Sequence, residues 1–206
     1  MKVLLVNGSY HEHGCTRTAL DEVAKALNAN GVETEIYWVG QTAVKGCKGC
    51  WSCKKTKKCV IDDDGINEFV EKASEFDGFV FGSPVYYASA SGALVAFMDR
   101  VFYSGGKNLA YKPACAVVSC RRAGASTTFD VINKYFTINN MPVVGSNYWN
   151  EVHGNKAEEV LQDEEGLQTM RILGNNLAWL LKCIQLGKEA GIEPVKERKV
   201  MTNFIR

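Results

Sequence analysis

Cys47, Cys50, Cys53 and Cys59 form a C-x2-C-x2-C-x5-C run within one short stretch of a 206-residue chain. Three thiolates at that pitch can curl around a compact iron–sulfur cubane with the fourth closing it. Structural zinc usually draws two C-x-x-C pairs from opposite sides of a longer loop. The spacing points to soft-metal ligation and leaves open a 4Fe-4S cluster, zinc or free thiols. Lys45, Lys48, Lys54, Lys55, Lys57 and Lys58 surround the run. Their positive field favours thiolates and offsets the negative charge of a thiolate-ligated cluster.

A second constellation opens the chain. Lys2 to Val6 is a continuous, β-branched-rich run that reads as a strand buried on both faces of a parallel sheet. Asn7, Gly8, Ser9 and Gly14 then permit a tight turn. From Thr16 the pattern becomes helical, with Ala19, Leu20, Val23, Ala24 and Leu27 along one stripe. Strand, loop and helix in this order make an anion site. The helix start leaves backbone N–H groups without partners and carries partial positive charge, while Ser9, Thr16 and Thr18 add hydroxyls suited to phosphate oxygens. An ordinary capped turn does not call for two glycines and three hydroxyls in so short a stretch. The nucleotide P-loop pattern needs a lysine after its second glycine, whereas Cys15 follows Gly14, and the dinucleotide G-x-G-x-x-G is missing.

The elements that must position these groups alternate. A strand over 33–39 follows the first helix and precedes the cysteine loop at 45–61. Asp62-Asp63-Asp64 reads as an acidic cap for a helix through Ile66, Phe69, Val70 and Ala73. Gly78 to Gly82 reads as strand three, Ser83 to Tyr87 as an extended loop, and Ser91 onward as a helix. Ala114 to Val118 is strand four, Ser119 to Gly124 its loop, Met141 to Val144 strand five. A long helix covers about 164–190. This pattern predicts one α/β domain over 1–206, a three-layer sandwich with a five-stranded parallel sheet of order 2-1-3-4-5. In such a sheet ligands sit outside the carboxyl ends of the strands where the order reverses, which brings together the loops 8–18, 83–87 and 119–124.

Composition narrows the function. A formal charge of +1 gives no global pull toward nucleic acid or a membrane surface, and no apolar stretch approaches a membrane span. No basic-then-apolar leader precedes the first strand, so the expectation is a cytoplasmic protein. Eight cysteines, four of them crowded into one basic loop, suit metal or redox chemistry rather than a secreted disulfide framework. Cys115 and Cys183 lie in apolar patterns and read as buried hydrophobes.

Two stretches resemble a known family: G-S-x5-C-T at Gly8 to Thr16, and S-P-V-Y-Y-A-S-A-S-G-A-L-x-x-F-M-D-R from Ser83 to Arg100. They are similar to the flavodoxin-fold NADPH-dependent FMN reductases, and within them to the iron–sulfur flavoproteins, from Met1 to about Trp149. The resemblance implies FMN, with Ser9, Cys15, Thr16, Arg17 and Thr18 at its phosphate. It places Ser83, Pro84, Val85, Tyr86 and Tyr87 along the flavin ring, and Ser119, Arg121, Arg122 and Gly124 toward the ring's pyrimidine edge. It also implies that Cys47, Cys50, Cys53 and Cys59 match a cluster-binding loop. Relatives commonly carry arginine and asparagine where this chain has His11 and Cys15. Arg17 is then the candidate to replace the lost charge, and Cys15 reads as a small polar filler.

The expected function is an NAD(P)H-dependent oxidoreductase passing electrons through FMN, and through a cluster if one is held, to a small-molecule or protein acceptor. The resemblance further implies a homodimer or homotetramer, in which Asn147, Tyr148, Trp149 and His153 could reach a neighbouring flavin. The rivals are a quinone or nitro-compound reductase without a cluster, a non-enzymatic electron carrier, and a thiol or metal redox sensor on the same fold.

Overall fold

The computed structural model describes residues 1–40 and 42–205. Its strands are β1 (Lys2–Asn7), β2 (Glu33–Trp38), β3 (Gly78–Tyr86), β4 (Ser89–Ala90), β5 (Ala114–Cys120) and β6 (Glu151–His153). Its helices are α1 (Cys15–Ala29), α2 (Cys53–Thr56), α3 (Ile66–Lys72), α4 (Gly92–Leu109), α5 (Ala125–Ile138), α6 (Ala157–Val160) and α7 (Glu164–Glu189). The sheet runs β2-β1-β3-β5-β6 with every pairing along that path parallel, which is the order expected from the sequence. β4 is an addition. It pairs antiparallel with the end of β3.

Period-two alternation splits the strand side chains between two cores. Leu4, Val6, Phe79, Phe81, Ala114 and Ala116 face one way and pack with Phe69 of α3, Phe97 of α4 and Phe136 of α5. Val3, Leu5, Val80, Cys115 and Val117 face the other, against Leu20 and Val23 of α1 and Leu173 and Leu177 of α7. Because both faces are covered, the central strands read as unbroken apolar runs.

Cys115 is buried as expected, but Cys183 is exposed, and three further expectations about the fold need correction. Strand three does not stop at Gly82: β3 continues through Tyr86 and folds back into β4, with Val85 opposite Ala90 and Tyr86 opposite Ser89. The two turn residues, Tyr87 and Ala88, have φ of +50° and +57°, the left-handed geometry of a primed hairpin turn. Non-glycine residues rarely hold it, so a locally strained turn stands beside the candidate ligand site.

The fifth position of the sheet is not a strand at Met141–Val144. A single parallel bridge joins Val143 to Ala114, the chain loops out, and pairing resumes at β6. Pro142 lacks an N–H for a ladder. Asn150 fills the gap: its side-chain Nδ2 donates to the carbonyl of Ala116 at 3.0 Å, while its own carbonyl accepts from Val118 N at 2.9 Å.

The third correction concerns the acidic triplet. The residue at the cap of α3 is Gly65, with φ of +77° and no side-chain hydrogen bond, so Asp62, Asp63 and Asp64 do not cap the helix. Asp62 accepts from Asn67, Asp63 pairs with Lys45, and Asp64 pairs with Arg100.

α7 matches its expected span and crosses α1 closely at Gly174. A Cβ there would lie 2.6 Å from Ala26 Cβ and 2.8 Å from the Val23 carbonyl. Backbone cannot yield as a side-chain tip can, so Gly174→Ala should destabilise the fold by about 1–3 kcal/mol. Urea denaturation checks this, with a lower midpoint expected and an unchanged slope; an unmoved midpoint contradicts the close crossing.

Candidate functional site

The carboxyl ends of β1, β3 and β5 carry three loops that the structure ties together. Gly8 N donates to the Gly82 carbonyl at 2.9 Å, joining the first loop to β3. Ser91, the cap of α4, donates from Oγ to the Gly8 carbonyl at 2.7 Å and accepts from Leu94 N. Ser83 Oγ accepts from Ser91 N at 3.0 Å and donates to the Pro84 carbonyl. Thr16 and Ser119 share a buried hydroxyl contact of 2.8 Å, which fastens the start of α1 to the end of β5. A Cβ on Gly124, whose φ is +91°, would lie 2.8 Å from Ala88 Cα, so the third loop abuts the strained hairpin.

The first loop is itself preorganised. Ser9 is buried; its N–H donates to Asn7 Oδ1 and its Oγ accepts from His11 N, each at 3.1 Å. Trp38, at the end of β2, donates from Nε1 to the Ser9 carbonyl at 2.7 Å. α1 then opens at Gly14 without a side-chain cap and without an acidic residue in its first turn. Its leading N–H groups and positive dipole end therefore remain available to an anion.

The side chains assigned to the phosphate from sequence are each engaged by a partner within the protein. Thr16 turns its hydroxyl to Ser119, and Thr18 donates to the Gly14 carbonyl at 3.2 Å. Arg17 Nε is engaged by Asp21 at 2.8 Å, one helical turn along. Cys15 Sγ sits 3.5 Å from the Gly154 carbonyl. Burial, helped by Glu159 and Glu158, pushes its thiol up, in keeping with a neutral filler. Tyr86 and Tyr87 in the hairpin and Arg121 and Arg122 in the third loop are exposed. Tyr148 and Trp149 are also half-exposed, in edge contact at 4.7 Å.

The second site lies beside α4. Cys47, Cys50, Cys53 and Cys59 all line one cavity of about 330 Å³, together with Arg100 and Tyr103. Among the described residues no three His, Cys, Asp or Glu side chains converge as a single metal ion would require. Cys47 and Cys50 are exposed, Cys53 and Cys59 half-buried. Hydrogen bonds from the backbone and side chain of Ser52 hold the Cys50 thiol below its usual range. Cys53 Sγ contacts the Tyr103 carbonyl at 3.6 Å, and Trp51 packs edge-on against the Tyr103 ring at 5.5 Å under Lys54.

Residues that the sequence reading left without a role fix this loop. Asn67 brackets Cys59, accepting from its N–H at 2.8 Å and donating to its carbonyl at 3.0 Å. Arg100 is buried and bonds Asp64 through both terminal nitrogens. The same guanidinium donates to the Lys45 carbonyl at 3.2 Å, the Ile61 carbonyl at 2.7 Å, and Cys59 Sγ at 3.2 Å. The available signal was a charge set in the apolar helical stripe of Phe97, Met98 and Val101. Trp38 and Ser91 left no comparable mark.

A doubly covered parallel sheet with its loops gathered beyond the carboxyl ends of the strands is a flavodoxin-like fold. Solved structures agree on this. RosB with bound 8-demethyl-8-formylriboflavin-5'-phosphate superposes with a TM-score of 0.72 at 15% identity, covering 100% of this chain and 92% of that one. An archaeal flavodoxin gives 0.62 at 14%, covering 88% and 99%. Residues 1–156 match the NADPH-dependent FMN reductase family, and the chain belongs to it. Its relatives include an iron–sulfur flavoprotein of Methanocaldococcus jannaschii, 35% identical over 90% of this chain and 100% of that protein. Another, from Methanosarcina thermophila, is 30% identical over 92% and 100%.

The thiol environments set an order of reactivity. In metal-free protein iodoacetamide should modify Cys50 ahead of the other cysteines, because it is exposed and its thiolate is favoured. Cys115 should stay unmodified until the chain unfolds, since full burial pushes its thiol far up. Time-resolved peptide mass spectrometry reads both; early labelling of Cys115 contradicts the buried placement.

Proposed function

We propose that this chain binds FMN where the three loops meet and passes electrons from NAD(P)H through the flavin to an acceptor. A 4Fe-4S cluster on Cys47, Cys50, Cys53 and Cys59 serves as the second redox centre. The observation that carries the flavin reading is the uncapped, acid-free start of α1, which is fastened to the end of β5 through Thr16 and Ser119 and whose preceding loop is bonded to β3 through Gly8 and Gly82. All four cysteines around one cavity beside a buried arginine support the cluster. Membership of the FMN reductase family and kinship with named iron–sulfur flavoproteins support both. Among the described residues no helix is long and apolar enough to cross a membrane.

The residues fit the groups. The leading N–H groups of α1 would hold the phosphate, with its charge met by the helix dipole, because Arg17 is paired with Asp21. Pro84, Val85, Tyr86 and Tyr87 would hold one side of the ring, with Arg121, Arg122 and Gly124 at its edge. When bound, the flavin supplies hydride and electron chemistry and the cluster single-electron transfer. The protein contributes orientation: Ser91 and Ser83 lock the hairpin to the first loop, and Trp38 and Asn7 fix the loop's backbone. No side-chain acid or base is required. A homodimeric or homotetrameric contact is part of this proposal, and the exposed aromatic surface of Tyr148 and Trp149 supports placing it there.

Anaerobically purified protein should release FMN on heating and contain about four iron and four sulfide per chain. NADPH or NADH should bleach the flavin bands. Recovery of FAD alone would sink the flavin assignment, unbleached bands would leave an electron carrier, and FMN without iron would leave a cluster-free reductase. Cys53→Ser should abolish the iron and retain FMN, since the two ligand sets lie on different elements. Trp38→Phe keeps the ring's bulk yet removes the bond to the Ser9 carbonyl. FMN affinity should fall by about 0.5–1.5 kcal/mol, or roughly two- to tenfold. Titration of apoprotein with FMN checks it, and an unchanged dissociation constant would show that loop order does not limit binding.

A further inference from the structure

We infer that Arg100 is a positioning residue for the cluster: its Nε–H is aimed at Cys59 Sγ and raises the reduction potential of the group held there. This rests on the cluster reading above.

A guanidinium has five N–H donors in a rigid plane. Here all five have acceptors: Asp64 takes two, the Lys45 and Ile61 carbonyls one each, and Cys59 Sγ the fifth. Four bonds to oxygen fix the plane, so the direction of Nε–H is imposed rather than adjusted to the sulfur. Asp64 balances the cation's charge without touching Cys59, and its own Oδ2 also accepts from Lys45 N at 3.3 Å. The other donors near the thiols differ in kind. Ser52 beside Cys50 is neutral and the surrounding lysines, Lys48 among them, are exposed and screened by solvent, whereas Arg100 is almost wholly buried and its field is little screened.

A thiolate ligand carries negative charge, and more of it once the cluster gains an electron. A fixed cationic donor at that sulfur stabilises the reduced form more than the oxidised one, which raises the potential. A purely structural arginine would hold the loop ends together and leave the potential unmoved. The electrochemical readout separates the two roles.

The test compares anaerobically purified, flavin-containing wild type with Arg100→Lys. Lysine keeps a cation for Asp64 but lacks the planar fork that reaches the sulfur as well. Iron and sulfide are assayed first, then the cluster is titrated by low-temperature electron paramagnetic resonance, with the flavin potential as internal control. Both proteins should hold iron, with the variant's cluster potential shifted negative and the flavin's unchanged. An iron-loaded variant with an unshifted cluster potential overturns this inference alone. Wild type without iron overturns it together with the cluster reading, and the iron assay tells these failures apart. Should the variant not fold, wild type grown with 15N-arginine and reduced should show a weak 15N coupling to the cluster in pulsed resonance spectra. Its absence overturns the inference equally.

Discussion

The buried pair of Arg100 and Asp64 is the constraint on which the cysteine loop depends. Taking two charges out of water costs several kcal/mol per ion, and the return comes only with good geometry and full hydrogen bonding. Here the geometry is bidentate and no donor is left over. Two of the remaining acceptors, the Lys45 and Ile61 carbonyls, lie at the two ends of the loop. One side chain of α4 therefore closes a segment that has little regular structure of its own beyond the four residues of α2. Loss of either partner would strand the other charge in the core, at about 3–5 kcal/mol. The loop's shape is thus coupled to the stability of the domain, although most of its own residues are exposed.

The first loop is held by a different economy of bonds, in which neutral groups suffice. Backbone N–H groups at the start of α1 are left free for a ligand, while behind them the carbonyls of Ser9, Glu12 and Gly8 accept from Trp38, Asn7 and Ser91, and the Thr16 hydroxyl meets Ser119. A rigid backbone that presents unshared N–H groups is the arrangement an anion site needs, since ordering costs met by the fold need not be met on binding. Thr16 illustrates the division. Its hydroxyl matches a phosphate ligand by type and position in sequence, yet its burial commits it to Ser119.

Strand order was legible in the sequence because unbroken apolar runs separated by amphipathic helices admit few right-handed topologies. The long helix was legible from its period and its glycine stop. What sequence concealed were features decided by partners far along the chain. Asp62, Asp63 and Asp64 before an apolar helix match a capping pattern, but Arg100 and Lys45, distant in sequence, outcompete the local role. Met141–Val144 has strand-like composition, but Pro142 interrupts the ladder and the Asn150 side chain substitutes for it. The strained turn at Tyr87 and Ala88 carries no glycine to announce it. The four cysteines were legible as a set, whereas their shared cavity depends on Arg100, Asn67 and Tyr103, none of which carries a metal-ligand signature.

The most specific resemblance, Ser83 to Arg100, covers the one element that serves both sites. Ser83 and Ser91 tie the hairpin and the start of α4 to the first loop. Nine residues later Arg100 holds the cysteine loop, and Tyr103 meets Cys53 and Trp51 one turn beyond. At 1.5 Å per residue the step from Ser91 to Arg100 is roughly 14 Å along a single helix. The separation of the two anchoring points is therefore set by helix geometry and not by loop conformation. A motif that looked like a flavin loop followed by an ordinary amphipathic helix is better understood as a rigid spacer, with an anchor for one site at its start and an anchor for the other two and a half turns on.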